Sequence, residues 1–187
     1  PFPGELATTC RNMLDRTREY WLEWVRRLSI GYDWQEAMIR AAITLKLSNF
    51  EETGAIVAAH TTSLPEAPGS GRTWDYRYCW LRDAYFVVKA LNRIGATRTM
   101  EDFIAYTFGI ASADTDELKP CYSIVPNETL PEWIAPNLAG YQGHGPVRVG
   151  NAAVDQVQHD AYGSVILAAT PMFFDRRLPR PAGLAEF

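Results

Sequence analysis

The sequence predicts an all-α fold, an array of paired helices whose long loops gather at one end. Three observations predict it. Apolar residues recur at three-and-four spacing in separate segments along the chain. Those segments are bounded by capping residues and by Gly or Pro. The stretches between them are long and rich in Thr, Ser, Pro and Gly, and no internal repeat recurs at a fixed period.

Residues 5–28 read as the first helix, with Thr8 or Thr9 as its cap and Leu14, Thr17, Trp21, Val25 and Leu28 as a buried stripe ended by Gly31. Asp33 is the expected cap of a second helix over 34–47, with Ile39, Ala42, Ile43 and Leu47 on its inner face. The short Gly-containing turn between the two predicts a helical hairpin. Residues 54–59 are apolar and β-branched enough for a brief strand, and 61–73 form a long loop. Such a loop in a compact domain is more often functional than decorative. A third helix is expected over 83–94, stopped by Gly95. Thr97 is placed to cap a fourth, running to 108. Residues 114–142 read as loop, with a short strand at 122–125. A last helix is expected over 154–169, with Val154, Val157, Ala161, Val165 and Ala168 inward and Pro171 ending it. Gly145 and Gly150 read as turn positions.

The bulk numbers exclude several classes. With 187 residues, 47% apolar and 21% charged, the chain can bury a core as one domain or part of one. The net charge of −4 and the acidic residues near Arg26-Arg27 and Arg176-Arg177 argue against nucleic acid and anionic membranes. No apolar run approaches bilayer length. Three dispersed cysteines, Cys10, Cys79 and Cys121, and three histidines without metal spacing predict neither a disulfide framework nor a zinc site. Reduced, mostly buried thiols favour the cytoplasm. The opening Pro-Phe-Pro-Gly and the loop composition of 179–183 predict a piece of a longer polypeptide.

The chemistry concentrates in residues 74–83, Trp-Asp-Tyr-Arg-Tyr-Cys-Trp-Leu-Arg-Asp. Four aromatics, two Arg and two Asp take eight of these ten positions between a loop and a helix. A pyranose has apolar C–H faces that pack on flat rings and a rim of hydroxyls that want charged hydrogen-bond partners. An adjacent Arg and Asp offer a donor fork beside an acceptor pair. The structural alternative is that Asp83 caps its helix, Arg82 pairs with it and the aromatics are core.

The segment resembles a signature of glycoside hydrolase family 15, which includes glucoamylases, glucodextranases and bacterial trehalases. Thr61-Thr62-Ser63-Leu64-Pro65-Glu66 precedes it. Leu130-Pro131-Glu132, Gly140-Tyr141, the run from Pro146 through Arg148, Gly150 and Asn151 to Ala153, and Gln158-His159-Asp160-Ala161-Tyr162-Gly163 follow in the same order. The ordered set covers roughly 54–168, and more loosely the two leading helices.

The resemblance implies that residues 1–187 are the N-terminal part of an (α/α)6 toroid of six helical hairpins with the active site at one end. It implies an inverting α-glucosidic hydrolase acting on an α-glucoside or trehalose; no cofactor and no metal site is expected from the residues themselves. Inversion needs an acid on one side of the bond and a carboxylate on the other, roughly 6.5–9.5 Å apart. By similarity, Arg82 and Asp83 bind hydroxyls of the innermost glucose. Trp80 packs against sugar and Tyr76 lines the same pocket, whereas Tyr78 and Trp74 are candidates for pocket or core. Arg77 is expected to pair structurally with Asp75. Arg148, Asn151, Gln158 and Asp160 form a second tier of substrate-binding candidates; for Gln158 and Asp160 an ordinary polar helix face is the alternative.

The chain also departs from the family. The general acid lies in a Trp-Glu context after this region and the general base later still. Here Trp133 follows Glu132 in the reverse order. Neither catalytic glutamate has a counterpart among these residues, and Glu66, Glu128 and Glu132 read as solvated or structural. About five helices stand where the family's toroid has twelve, so apolar faces should be left for self-association or for the rest of the domain. The sequon Asn127-Glu128-Thr129 is discounted without a secretory signal. The rival readings are a non-catalytic sugar-binding or scaffold protein and an all-α interaction module. A terpene-cyclase-like enzyme would need Asp-rich metal motifs, and Asp114-Thr115-Asp116 alone does not make one.

Overall fold

The computed structural model describes residues 5–113, 117–125 and 128–176. Asp114 to Asp116, Asn127 of the sequon, Arg177, the terminal loop 179–183 and the opening tetrapeptide lie outside the described residues.

Helices α1 (Leu6–Arg26), α2 (Gln35–Leu47), α3 (Leu81–Arg93), α4 (Arg98–Ala113) and α5 (Asp160–Phe174) dominate. Three two-stranded antiparallel pieces join the loops. They are β1 (Asn49–Phe50) with β2 (Ala55–Ile56), β3 (Cys79–Trp80) with β4 (Cys121–Tyr122), and β5 (Trp133–Ile134) with β6 (Arg148–Val149). Among the described residues the fold is helix-rich with little strand, as expected. The core sits where α3, α4 and α5 meet, around Leu81, Val88, Met100, Phe103, Ile104, Ala161 and Ala168. Apolar burial at this three-way contact is the main stabilising term.

Several boundaries differ from expectation. α1 starts at Leu6 with Glu5 as its cap residue, whose carbonyl accepts from the Thr8 and Thr9 amides, so neither threonine side chain caps it. It ends at Arg26, well before Gly31. Its expected stripe is not buried: Leu14 is 68% exposed, Thr17 is exposed, and Trp21, Val25 and Leu28 are only half-buried. No described element packs extensively against α1, so among the described residues its amphipathic face is only partly covered and the predicted hairpin with α2 is loose. Trp34, not Asp33, is the cap residue of α2, in the left-handed region at φ 58, with no side-chain cap bond. On α2, Ala42 is buried, but Lys46 takes the inward place expected of Leu47 and pairs with Glu51.

β2 is shorter than the 54–59 strand, and β4 covers only the first part of the 122–125 expectation. Gly95, at φ 88, follows the C-cap of α3 as expected, whereas α4 runs on past residue 108 to Ala113. The last helix differs most. Asn151 accepts a bond from the Ala153 amide and caps a short 3-10 turn over Ala152–Asp155, and Gln156 is extended, so α5 begins only at Asp160. Side-chain capping of a turn competes with helix here. Val154 and Val157 are therefore off the helix, and Val157 is exposed. Pro171 lies inside α5 rather than ending it. Burial of Met172 in the core offsets the lost backbone bond. Cys10 is exposed, while Cys79 and Cys121 are buried as free thiols. Among the described residues no helix is long and apolar enough to cross a membrane.

Candidate functional site

The aromatic block is anchored by Asp75, which has no exposed surface. Its Oδ1 accepts from Arg77 Nε at 2.9 Å and its Oδ2 from Arg77 Nη2 at 2.8 Å. Oδ2 also accepts from the Gly150 amide at 3.2 Å, and the Asp75 carbonyl accepts from Asn151 Nδ2 at 3.0 Å. The expected Arg77–Asp75 pair is thus present, and it forms half of a knot tying residues 74–80 to the Gly150 turn. Bonds to charged groups are the stronger kind, so this knot fixes where the block leaves the loop. Gly150 is at φ +82, and a Cβ there would lie 2.0 Å from the Pro131 carbonyl oxygen, so only glycine fits. Gly145 instead precedes a cis proline, Pro146, and is not in the left-handed region.

β3 then runs without a break into α3. Trp80 pairs with Cys121 and is also the cap residue of α3, its backbone extended. The indole is buried against Cys121 and Leu130, with Tyr76 and Tyr78 packed beside it. The Tyr76 and Trp80 rings have centroids 5.8 Å apart and planes tilted by 54°. Tyr78 is half-buried, and its hydroxyl accepts from the Gly150 amide at 3.1 Å.

The direct step from strand to helix places Arg82 and Asp83 in the first turn of α3. Asp83 is the third residue of the helix, whose cap residue is Trp80, without a side-chain cap bond. Arg82 Nη2 lies 3.2 Å from Asp83 Oδ2 and Nη1 lies 3.1 Å from Asp160 Oδ2, at the first turn of α5. The three side chains are 45%, 43% and 46% exposed, so the cluster opens to solvent rather than into a sealed interior. Partial burial works against the guanidinium charge, but the two carboxylates outweigh it and hold its pKa above the ordinary arginine value.

The other second-tier residues divide. Arg148 lies with Cζ 4.8 Å from the Trp74 ring centroid and Nη1 2.8 Å from Glu132, and its buried Nε has no hydrogen-bond partner among the described residues. Asn151 is buried, with both ends of its amide bonded to the framework. Gln158 donates to Gln156 within its own loop and, among the described residues, makes no bond to Arg82 or Asp83.

Sequence reasoning missed how the loop carboxylates are used. Glu66 Oε1 accepts from the Tyr76 hydroxyl at 3.0 Å and Oε2 from Arg72 Nε at 2.5 Å. The Arg72 bond first, and the Tyr76 bond second, hold its carboxyl below the usual glutamate range. Glu132 bonds Arg148 and the Ala152 amide, and Glu128 accepts from Ser123. The signal available for Glu66 was its place at the end of the 61–66 motif, a few residues ahead of the aromatic block.

Residues 33–180 match the sequence profile of the family described as glycosyl hydrolases family 15. The chain is 40% identical over 159 residues to the trehalase of Thermoplasma volcanium, covering 85% of this chain and 25% of that protein. It is 39% identical over 171 residues to the trehalase of Mycobacterium tuberculosis, covering 88% of this chain and 25% of that protein. To trehalase 1 of Sulfolobus acidocaldarius it is 32% identical over 163 residues, covering 87% of this chain and 28% of that protein. The chain thus spans about a quarter of the length of the curated relatives it matches. No solved structure matches it significantly.

Proposed function

From the premise that this chain belongs to glycosyl hydrolases family 15, we propose that it forms the innermost glucose-binding subsite of an inverting hydrolase of trehalose or a related α-glucoside. The observation that carries this reading is the exposed Arg82 guanidinium, held between Asp83 and Asp160 beside the Tyr76–Trp80 wall. Arg82 donates to hydroxyl oxygens of a bound glucose and Asp83 accepts from its hydroxyl protons. The sugar's C–H face packs against the half-buried Tyr76 ring, which the buried Trp80 indole backs rather than touching sugar itself. Arg148, Asn151, Gln158 and Asp160 then fall into supporting roles, with Asp160 aiming Arg82 and Asn151 bracing the Gly150 turn. The trehalase names of the relatives favour trehalose among the α-glucosides.

Hydrolysis with inversion requires one carboxylic acid to protonate the glycosidic oxygen. A carboxylate on the other face takes a proton from the water that attacks the anomeric carbon. On trehalose the products are two glucoses, one with its anomeric configuration inverted. The loop glutamates Glu66, Glu128 and Glu132 are each bonded within the fold, which argues against either catalytic role for them. The outer face of α5, with Ile166, Leu167, Phe173 and Phe174 exposed, is the surface that further helices of an α/α toroid would cover.

Equilibrium dialysis with labelled trehalose, run beside a glucose-release assay, tests this reading. Saturable binding that Arg82→Ala removes, with no release of glucose from trehalose or maltooligosaccharides, is expected. Turnover by the purified chain, with contaminating enzyme excluded, contradicts the assignment of catalysis. The same bonded glutamates favour a second reading, a sugar-binding or scaffold protein that kept the pocket without the chemistry. The reading frame beyond Phe187 separates the two: a Trp-Glu segment followed by a later glutamate supports the hydrolase.

A further inference from the structure

We propose that Glu66 is a positioning residue for the sugar pocket: reaching in from the loop of residues 61–73, it fixes the tilt of Tyr76 against Trp80. The proposal rests on the sugar-pocket reading for its consequence, but not for its geometry.

The loop that carries Glu66 is braced at both ends. The Ser63 amide donates to the Trp74 carbonyl at 2.9 Å, and Thr62 bridges to Asp75. Thr73 Oγ1 donates to the Pro146 carbonyl at 2.6 Å, and the Gly69 amide donates to His144 Nδ1 at 3.3 Å. Inside the loop, the Glu66 amide donates to the Arg72 carbonyl at 3.1 Å, and Arg72 Nε returns to the Glu66 carboxylate. Backbone and side chain together therefore aim one carboxylate oxygen at Tyr76 Oη, 3.0 Å away.

A tyrosine ring turns about two torsions, and a tilted contact with one neighbouring indole does not fix both. A hydrogen bond at the para oxygen supplies a second point of attachment and sets the face the ring presents. It also sets the polarity of the hydroxyl. With its proton donated to Glu66, Oη meets a sugar only as an acceptor. Burial first, then the Glu66 bond and charge, raise the Tyr76 pKa above the ordinary phenol value, as expected for a hydroxyl kept protonated. Arg72 holds the carboxylate rather than touching the ring.

The test compares Glu66→Ala, Glu66→Gln, Tyr76→Phe and the double variant of Glu66→Ala with Tyr76→Phe in this chain. Trehalose affinity is read by calorimetry and the Tyr76 ring protons by NMR. Each alanine or phenylalanine single variant is expected to weaken binding about tenfold, the loss of one hydrogen bond, and the double variant no further. Glu66→Gln keeps an acceptor for the phenol and retains most of the affinity. Additive losses, or a glutamine variant as weak as the alanine, would overturn the proposal. If wild-type chain binds no trehalose, the pocket reading fails, and NMR alone decides on Glu66. Glu66→Ala must shift the Tyr76 ring protons out of the Trp80 ring current; unchanged shifts would sink the positioning role.

Discussion

Asp160 and Arg82 meet at 3.1 Å although they lie 78 residues apart, joining the first turns of α5 and α3. This one bond links two helices that the core packs together. Both partners are nearly half exposed, so the pair adds little to stability, about 0–1 kcal/mol. Its effect belongs to orientation. Asp160→Ala is therefore expected to weaken trehalose binding about tenfold while unfolding stability moves by no more than ~1 kcal/mol. In the Arg82→Ala background the same change should add nothing further. Calorimetry and urea melts on the four proteins check both statements.

The Asp75 knot carries the opposite expectation. Its carboxylate is fully buried and serves Arg77 and the Gly150 amide at once. Asp75→Ala leaves those donors without an acceptor and is expected to cost about 3 kcal/mol or more in urea denaturation. Glu23→Ala, which removes an exposed partner 3.7 Å from Arg27, is the control and should change nothing measurable.

Two glycines give contrasting alanine substitutions. Gly150→Ala forces a side chain onto the Pro131 carbonyl at a left-handed φ, and a thermal melt should show a loss of roughly 1–3 kcal/mol or more. Gly163 is exposed on α5 with nothing within 4 Å of the added carbon. Gly163→Ala is expected to stabilise by roughly 0.5–1 kcal/mol.

The thiols predict a pH response. Burial pushes both Cys79 and Cys121 up to about 12, so the folded state keeps them protonated where the unfolded chain, near 9, ionises them. A pKa raised on folding gives stability that is whole below pH 9 and falls as pH rises from there toward 12. The slope is about 1.4 kcal/mol per pH unit for each thiol. Urea melts between pH 8 and 10.5 read this slope. A thiol-reactive dye at pH 8 should label exposed Cys10 alone in the native chain and all three cysteines in denaturant.

Much of this was legible in the sequence because it depends on local spacing. The α3 segment, the Gly95 stop and the crowding of residues 74–83 follow from period, backbone freedom and composition. The pairing of Arg77 with Asp75 was legible because the two are opposite charges only two residues apart. The α5 start was not, because Val154 and Val157 continue the apolar period while Asn151 diverts the backbone into a 3-10 turn. The α1 stripe has the right period, yet burial depends on what packs over it, which no helix pattern states. The Glu66–Tyr76 and Arg82–Asp160 contacts are long-range or loop-borne, and spacing alone gives no sign of them.

The most direct measurement follows the Trp80 indole and Tyr76 ring resonances in this chain while trehalose is added. Saturable, same-site shifts of both rings that Arg82→Ala and Asp83→Ala each abolish, in proteins that remain folded, are predicted. Rings that stay unmoved up to saturating sugar, or shifts that persist when both charged residues are removed, would contradict a glucose held between that wall and that pair.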